Sequence, residues 1–289
     1  MNTQEATSTS TIINTFTVFN VQGLAPKTVN SSVPYIHDVL HDNKQFFINL
    51  TETWLFDHKE AELQIPGYKL FRSDRKRINR SDRGRFSGGV AIYLRNDVAI
   101  NFEESLVYSN GVVEVLCLYS KSDNIMVINI YRQPDNSKHR STLAEFTSAL
   151  KAISKILNPL NPAPTIFMSG DFNLPHIDWN KEMPSPSATA IEKLCFSALK
   201  SFMDCNSLFQ HITEPTHYQG NVLDLLFTNL SELVYEVKYL DPLLSVSHHR
   251  VIEVSTTFSF GAKSYIDNSN KGQRAHKCST SFVYIEFSA

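Results

Sequence analysis

Along this 289-residue chain, polar side chains with chemical potential stand repeatedly where an apolar run ends. FTVF ends at Asn20, FFINL is followed by Thr51-Glu52-Thr53-Trp54, and IMVINI ends at Tyr131-Arg132. TIFM breaks into Ser169-Gly170-Asp171-Phe172-Asn173, and Ser247-His248-His249 precedes another apolar run. Binding clefts in layered α/β proteins form where strands end and loops begin, so side chains at such places can converge. Each residue alone also has a plain structural reading: a turn amide, a helix N-terminal acid, a half-buried strand phenol, an acid-amide turn, a surface histidine pair. Taken together, amides, acids, a phenol and a histidine form a set that metal-assisted phosphodiester cleavage can use.

That chemistry has definite needs. A hard cation such as Mg²⁺ wants oxygen ligands, one of which Glu52 can supply. A carboxylate such as Asp171 can orient or deprotonate an attacking water. Asn20, Asn173 and Tyr131 can hold phosphate oxygens as charge builds on them, and a histidine oriented by a second carboxylate can stabilise the pentacovalent phosphorane or help the leaving oxygen.

The elements that must position these groups show in the hydrophobic pattern. Strand-like runs cover 16–21, 46–50, 88–94, 112–119, 125–131, 165–170, 223–228 and 251–258, many of them short and apolar on both faces. Helical stripes run through VPYIHDVL (33–40), TLAEFTSALKAISKIL (142–157) and AIEKLCFSALKSFM (190–203). Sheets with helices outside them predict a layered α/β fold in one domain over 12–260, after a flexible leader (1–11) and before a loose tail (261–289).

In order along the chain, NVQGL (20–24), TETWL (51–55), SGGVAIYL (87–94), YRQP (131–134), GDFN (170–173), LDLLFTN (223–229) and SHH (247–249) resemble the motifs of the endonuclease/exonuclease/phosphatase superfamily. The resemblance spans nearly the whole predicted core and is greatest to the endonuclease domain of non-LTR retrotransposons. It implies a four-layered α/β sandwich of two packed mixed sheets flanked by helices, and metal-dependent nicking of DNA. It implies that Asn20 and Glu52 serve the metal, Tyr131 contacts phosphate, Asp171 and Asn173 handle water and phosphate, and Asp224 orients His249. Two positions depart from the family: His248 stands where an acid beside the catalytic histidine is usual, which makes it a candidate on the metal side, and Gln22 stands where Asn or Asp is usual.

Composition bounds the substrate. With 42% hydrophobic and 19% charged residues the chain is globular, and a formal net charge of -2 does not by itself mark a nucleic-acid binder. The positive charge is instead local: GYKLFRSDRKRINRSDRGRFSGG carries Lys69, Arg72, Arg75, Lys76, Arg77, Arg80, Arg83 and Arg85 against Asp74 and Asp82. It reads either as a solvated loop or, in this place, as a run of phosphate-backbone contacts. HITEPTHYQG (211–220) lacks the spacing of a zinc motif and reads as a connecting loop beside the substrate groove. The four cysteines form no C-x-x-C pair and are expected to be reduced. No window reaches the roughly 18 to 20 apolar residues of a membrane span, so a soluble, intracellular, monomeric protein is expected, with nuclear access if it acts on chromosomal DNA. The expected cofactor is Mg²⁺, with Mn²⁺ as the other candidate, and the expected partner is DNA, with a reverse-transcriptase domain in a longer parent element. Two alternatives stay open: a phosphatase or phosphodiesterase of the same fold acting on a small or lipid substrate, and a DNA-binding relic without catalysis.

Overall fold

The computed structural model describes residues 14–24, 36, 45–55, 63–75, 87–135, 142–241 and 247–258. The expected leader, the tail and, apart from Ile36, the helix at 33–40 lie outside them.

Two six-stranded sheets face each other among the described residues. The first contains β1 (Asn14–Asn20), β2 (Gln45–Thr51), β3 (Tyr68–Ser73), β4 (Val90–Arg95), β13 (Val234–Leu240) and β14 (Val251–Thr256), in the order β13-β14-β1-β2-β4-β3. The second contains β5 (Phe102–Ser109), β6 (Val113–Ser120), β7 (Ile125–Arg132), β8 (Thr165–Asp171), β11 (Phe209–Gln210) and β12 (Asp224–Thr228), in the order β11-β12-β8-β7-β6-β5. The short strands β9 (Ile177–Asp178) and β10 (Met183–Pro184) pair apart. Both sheets are mixed, since β1 runs parallel to β2 and β7 to β8, while their other neighbours are antiparallel.

Alternation along each strand assigns side chains to layers. On β7, Met126, Ile128 and Ile130 pack beneath helices α2 (Thr142–Leu157) and α3 (Ala190–Cys205), with Phe146, Ile153, Leu199 and Phe202. The odd positions Ile125, Val127 and Tyr131 face the first sheet and meet Phe16, Val18, Phe47 and Ile252. A third apolar layer, with Phe19, Ile48, Leu50 and Tyr93, covers the outer face of the first sheet and includes Ile36, Leu55 and Leu63. Three buried clusters separate four layers, which is the sandwich the resemblance implies. The first short helix, α1 (Asn96–Ala99), only turns the chain from β4 towards β5.

Sequence patterning misses β3, β5 and β13. Each is an edge strand, so one flank meets solvent and polar residues such as Lys69, Glu103, Glu104 and Glu236 interrupt the apolar signature of the central strands. Helix α3 runs to Cys205, and its start is fixed by a capping box between Thr189 and Glu192. The expectation of reduced thiols holds for Cys117 and Cys195, which are free and buried, and fails at Cys205, which is disulfide-bonded. Cys205 sits on the exposed end of its helix, where packing does not shield a thiol.

Candidate active site

Strand parity builds the site. On β1, residues 16 and 18 point into the seam between the sheets, and so, two further on, does Asn20. On β7 the same parity brings Tyr131 to the seam, on β8 it brings Asp171 after Phe167, and on β12 it brings Asp224 before Leu226. Register then aligns them: Asp171 of β8 stands opposite Tyr131 of β7 on one side and Asp224 of β12 on the other. Asn20 at the end of β1 stands opposite Thr51 of β2, the residue before Glu52. These strand ends all open on the same edge of the sandwich.

Direct contacts tie the two sheets across that edge. Asn20 Nδ2 donates to Asp171 Oδ2 at 2.8 Å and approaches Glu52 Oε1 at 3.3 Å. Asp171 also accepts from the Asn173 backbone N–H at 3.0 Å and from Asn173 Nδ2 at 2.8 Å. His249 Nδ1 donates to Asp224 Oδ2 at 2.7 Å, and His249 Nε2 lies 3.3 Å from Asn20 Nδ2. Asn20, Tyr131, Asp171, Asp224 and His249 are buried, while Glu52 is half-buried.

The backbone is bent to deliver these groups. Glu52 and Asn173 have φ of 52° and 48°, left-handed conformations that cost a non-glycine residue free energy and collect at functional sites. Gly170, before Asp171, has φ +140° and leaves no room for a side chain, since a Cβ would lie 1.8 Å from the Ile130 carbonyl oxygen. Only glycine lets β8 approach β7 closely enough there.

Several supporting residues are absent from the sequence-derived set. Ser247 Oγ donates to the Asn20 carbonyl at 2.6 Å and accepts from the His249 N–H at 3.1 Å. Trp54 Nε1 donates to Glu52 Oε2 at 3.0 Å, and Thr216 Oγ1 accepts from the backbone N–H of both Leu223 and Asp224 at 3.0 Å. Arg132, fully buried, donates from Nη1 to the carbonyls of Phe172 and Asn173 at 3.2 and 2.9 Å, and so clamps the turn that carries Asn173. The signal for Ser247, Trp54 and Arg132 lay inside the motifs SHH, TETWL and YRQP; Thr216 lies in HITEPTHYQG, which reads as a loop beside the groove without marking this residue. His217 pairs with His249 as a β-bridge, its ring 4.8 Å from that of His249, so 211–220 does lie beside the site.

The two histidines diverge. Adjacent residues in extended chain face opposite ways, so His249 turns inward while His248 is exposed, its ring 5.0 Å from that of Tyr218. His248 is therefore not brought to the acidic cluster where the sequence placed it. Its backbone N–H donates to Gln22 Oε1 at 3.0 Å, so the two departures from the family pattern touch each other.

Electrostatically the cluster holds an excess of negative charge. Burial, then the charge of Asp224, pushes the Asp171 carboxyl well above its ordinary value, with His249 opposing. Burial alone would depress His249, but the charge and hydrogen bond of Asp224, with Asp171 and Glu52 beyond, hold it up at about 9. His217 falls to about 4, by burial and then by the charge of His249. Asp171, Asp224 and His249 offer ligand atoms within 4.8 Å of one another, and Asp224 Oδ1 is buried without a hydrogen-bond partner. Clustered carboxylate oxygens with one left unsatisfied fit a hard divalent cation.

Of the predicted DNA contacts, Arg72 pairs with Asp74 at 3.0 Å and Arg75 pairs with buried Glu114. Lys76, Arg77, Arg80, Arg83 and Arg85 lie outside the described residues. Among these residues no helix is long and apolar enough to cross a membrane.

Comparison with known proteins agrees with this architecture. The family described as endonuclease-reverse transcriptase matches residues 125–253. No curated protein matches in sequence. Among solved structures, a 3′ phosphatase, NExo, from Neisseria bound to product DNA hairpin is 17% identical, with 84% of this chain and 99% of that chain covered and a TM-score of 0.60. The AP endonuclease LMAP from Leishmania major is 15% identical over 86% of this chain and 88% of that one, with a TM-score of 0.58. The endonuclease domain of TRAS1, a telomere-specific non-LTR retrotransposon, is 14% identical over 85% and 98%, with a TM-score of 0.53. The family match over residues 125–253 and the fold shared with these structures agree with the resemblance that the motif order carries: this chain is similar, in fold and in the order of its motifs, to the endonuclease/exonuclease/phosphatase superfamily.

Proposed function

We propose that this protein is a Mg²⁺-dependent phosphodiester hydrolase that nicks DNA, of the kind found in retroelements. One observation carries the reading: Asn20 and Glu52 from one sheet meet Tyr131, Asp171, Asn173 and Asp224 from the other, with His249 closing the group. Asn20 and Glu52, with the Asp171 side of the cluster, would hold Mg²⁺ or Mn²⁺. Bound there, the ion supplies positive charge against the negative charge that gathers on a phosphate oxygen. Asp171, made a stronger base by burial, orients the attacking water and takes its proton. Asn173 and the Tyr131 phenol donate to phosphate oxygens as charge develops. His249, kept protonated by Asp224, stabilises the phosphorane and supports the departing oxygen.

DNA is favoured as substrate by the cationic run that the sequence carries from Lys69 to Arg85, and by the likeness to the TRAS1 endonuclease domain. A reverse-transcriptase domain in a longer parent element is the partner that this reading expects. The test is covalently closed plasmid incubated with Mg²⁺, Mn²⁺ or EDTA. Nicking with either ion and none in EDTA is expected. Turnover of a phosphomonoester or phosphoinositide without nicking would replace this reading with a phosphatase, and salt-sensitive DNA binding without cleavage would identify a relic.

A further inference from the structure

Arg75 opens the densest stretch of positive charge in the sequence, yet its guanidinium is turned inward. Nε and Nη2 donate to Glu114 Oε1 and Oε2 at 2.9 and 3.0 Å, a bidentate pair in which the Glu114 side chain is fully buried and that of Arg75 is 16% exposed. Nη1 donates to Ser87 Oγ at 3.1 Å and to Gln133 Oε1 at 3.3 Å. Glu114 further accepts from the Gly89 N–H at 3.2 Å. Gly88 makes room for the guanidinium: its φ is +80°, and a Cβ there would lie 2.3 Å from Arg75 Cζ.

This arrangement borders the site. Glu114 of β6 stands opposite Tyr131 of β7, and Arg75 Cζ lies 5.4 Å from the centroid of the Tyr131 ring. The same guanidinium binds Ser87, so one side chain ties residue 75 to residue 87, the two that flank Lys76, Arg77, Arg80, Arg83 and Arg85 in the sequence. A planar, forked cation suits this task, because it can pair bidentately and still cover an aromatic face; lysine cannot do both.

We propose that Arg75 is a positioning residue: with Glu114 it fixes Tyr131 and holds Ser87 to the end of β3, and it does not itself contact DNA. Its kinetic consequence rests on the nicking function proposed above; its structural consequence does not.

The experiment compares full-length wild type, Arg75→Lys, Arg75→Met, Glu114→Gln, Tyr131→Phe and the double variant Arg75→Met/Tyr131→Phe. Tyr131→Phe is expected to slow single-turnover plasmid nicking in Mg²⁺ by roughly 10²-fold, the scale for losing one donor to developing charge. Arg75→Met slows it by about tenfold through a misplaced phenol, Arg75→Lys recovers part of that, and the double variant is no slower than Tyr131→Phe alone. Multiplying effects in the double variant would overturn the proposal. So would a fall of about 0.9 in the log-log salt slope of duplex binding in EDTA for Arg75→Met, the mark of one phosphate no longer neutralised. A third arm needs no DNA: hydrogen exchange at 87–90 and 130–133 is expected to quicken in Arg75→Met and, less, in Glu114→Gln. Unchanged exchange in both would also overturn it. A wild type that neither nicks nor binds DNA would refute the nuclease reading alone, and the exchange arm would still decide whether Arg75 holds this corner together.

Discussion

His248 and His249 are adjacent, yet only one reaches the acidic cluster, and the Asp224 carboxylate that meets it is what gives His249 its character. Its folded pKa of about 9 lies above the ordinary 6.5. The pair's stabilising contribution is therefore fully present below 6.5 and is lost as pH rises through about 9. Asp224→Asn should move the His249 titration, followed by NMR in EDTA, down from about 9. The stability advantage of wild type over that variant should shrink across the same window in urea unfolding. Asp171 has the same sign, since an acid raised above 3.8 costs the metal-free fold stability as pH rises past that value. Asp171→Asn should abolish nicking while raising Tm in EDTA at neutral pH by roughly 2–4 °C, as measured by calorimetry. The identities of these residues were legible in the sequence because Asp171 ends an apolar run, the histidine pair precedes one, and Asp224 falls in the motif LDLLFTN. The outward turn of His248 and the inward turn of Arg75 were not, because a motif fixes residue type and leaves the direction of a side chain to its neighbours.

The central strands were readable from their two-faced apolar runs, whereas β3, β5 and β13, each at an edge, were hidden by the polar residues that edges require. Parity and register do the rest: a shift by one residue in β8 would carry Asp171 from the seam into the helix-side core occupied by Met168. Gly170 protects that placement. Gly170→Ala should destabilise the fold by about 4 kcal/mol in denaturant titration, because the new methyl would meet the Ile130 carbonyl and force β7 and β8 apart. Activity should fall with it, since Tyr131 and Asp171 stand opposite each other on those two strands. A mild loss of stability would mean that the two strands yield to the methyl without losing their register.

At the scale of the molecule, a near-neutral chain with a net charge of -2 concentrates eight of its 27 Lys and Arg residues between Lys69 and Arg85. Replacing Lys76, Arg77 and Arg80 together by Gln should weaken duplex binding and lower the log-log salt slope by about 0.9 for each phosphate left unneutralised, with the rate on saturating plasmid unchanged. An unchanged slope would make the segment a solvated loop. The most direct test of the account as a whole is the Mg²⁺ dependence of plasmid nicking in wild type and in Glu52→Gln. Wild type should nick, stop in EDTA and recover on Mg²⁺ addition. Glu52→Gln, one carboxylate poorer, should require at least about tenfold more Mg²⁺, as is usual when the support of a metal site is weakened. Nicking that persists in EDTA, or identical Mg²⁺ curves for the two proteins, would contradict the assignment of this cleft as a metal-dependent phosphodiesterase site.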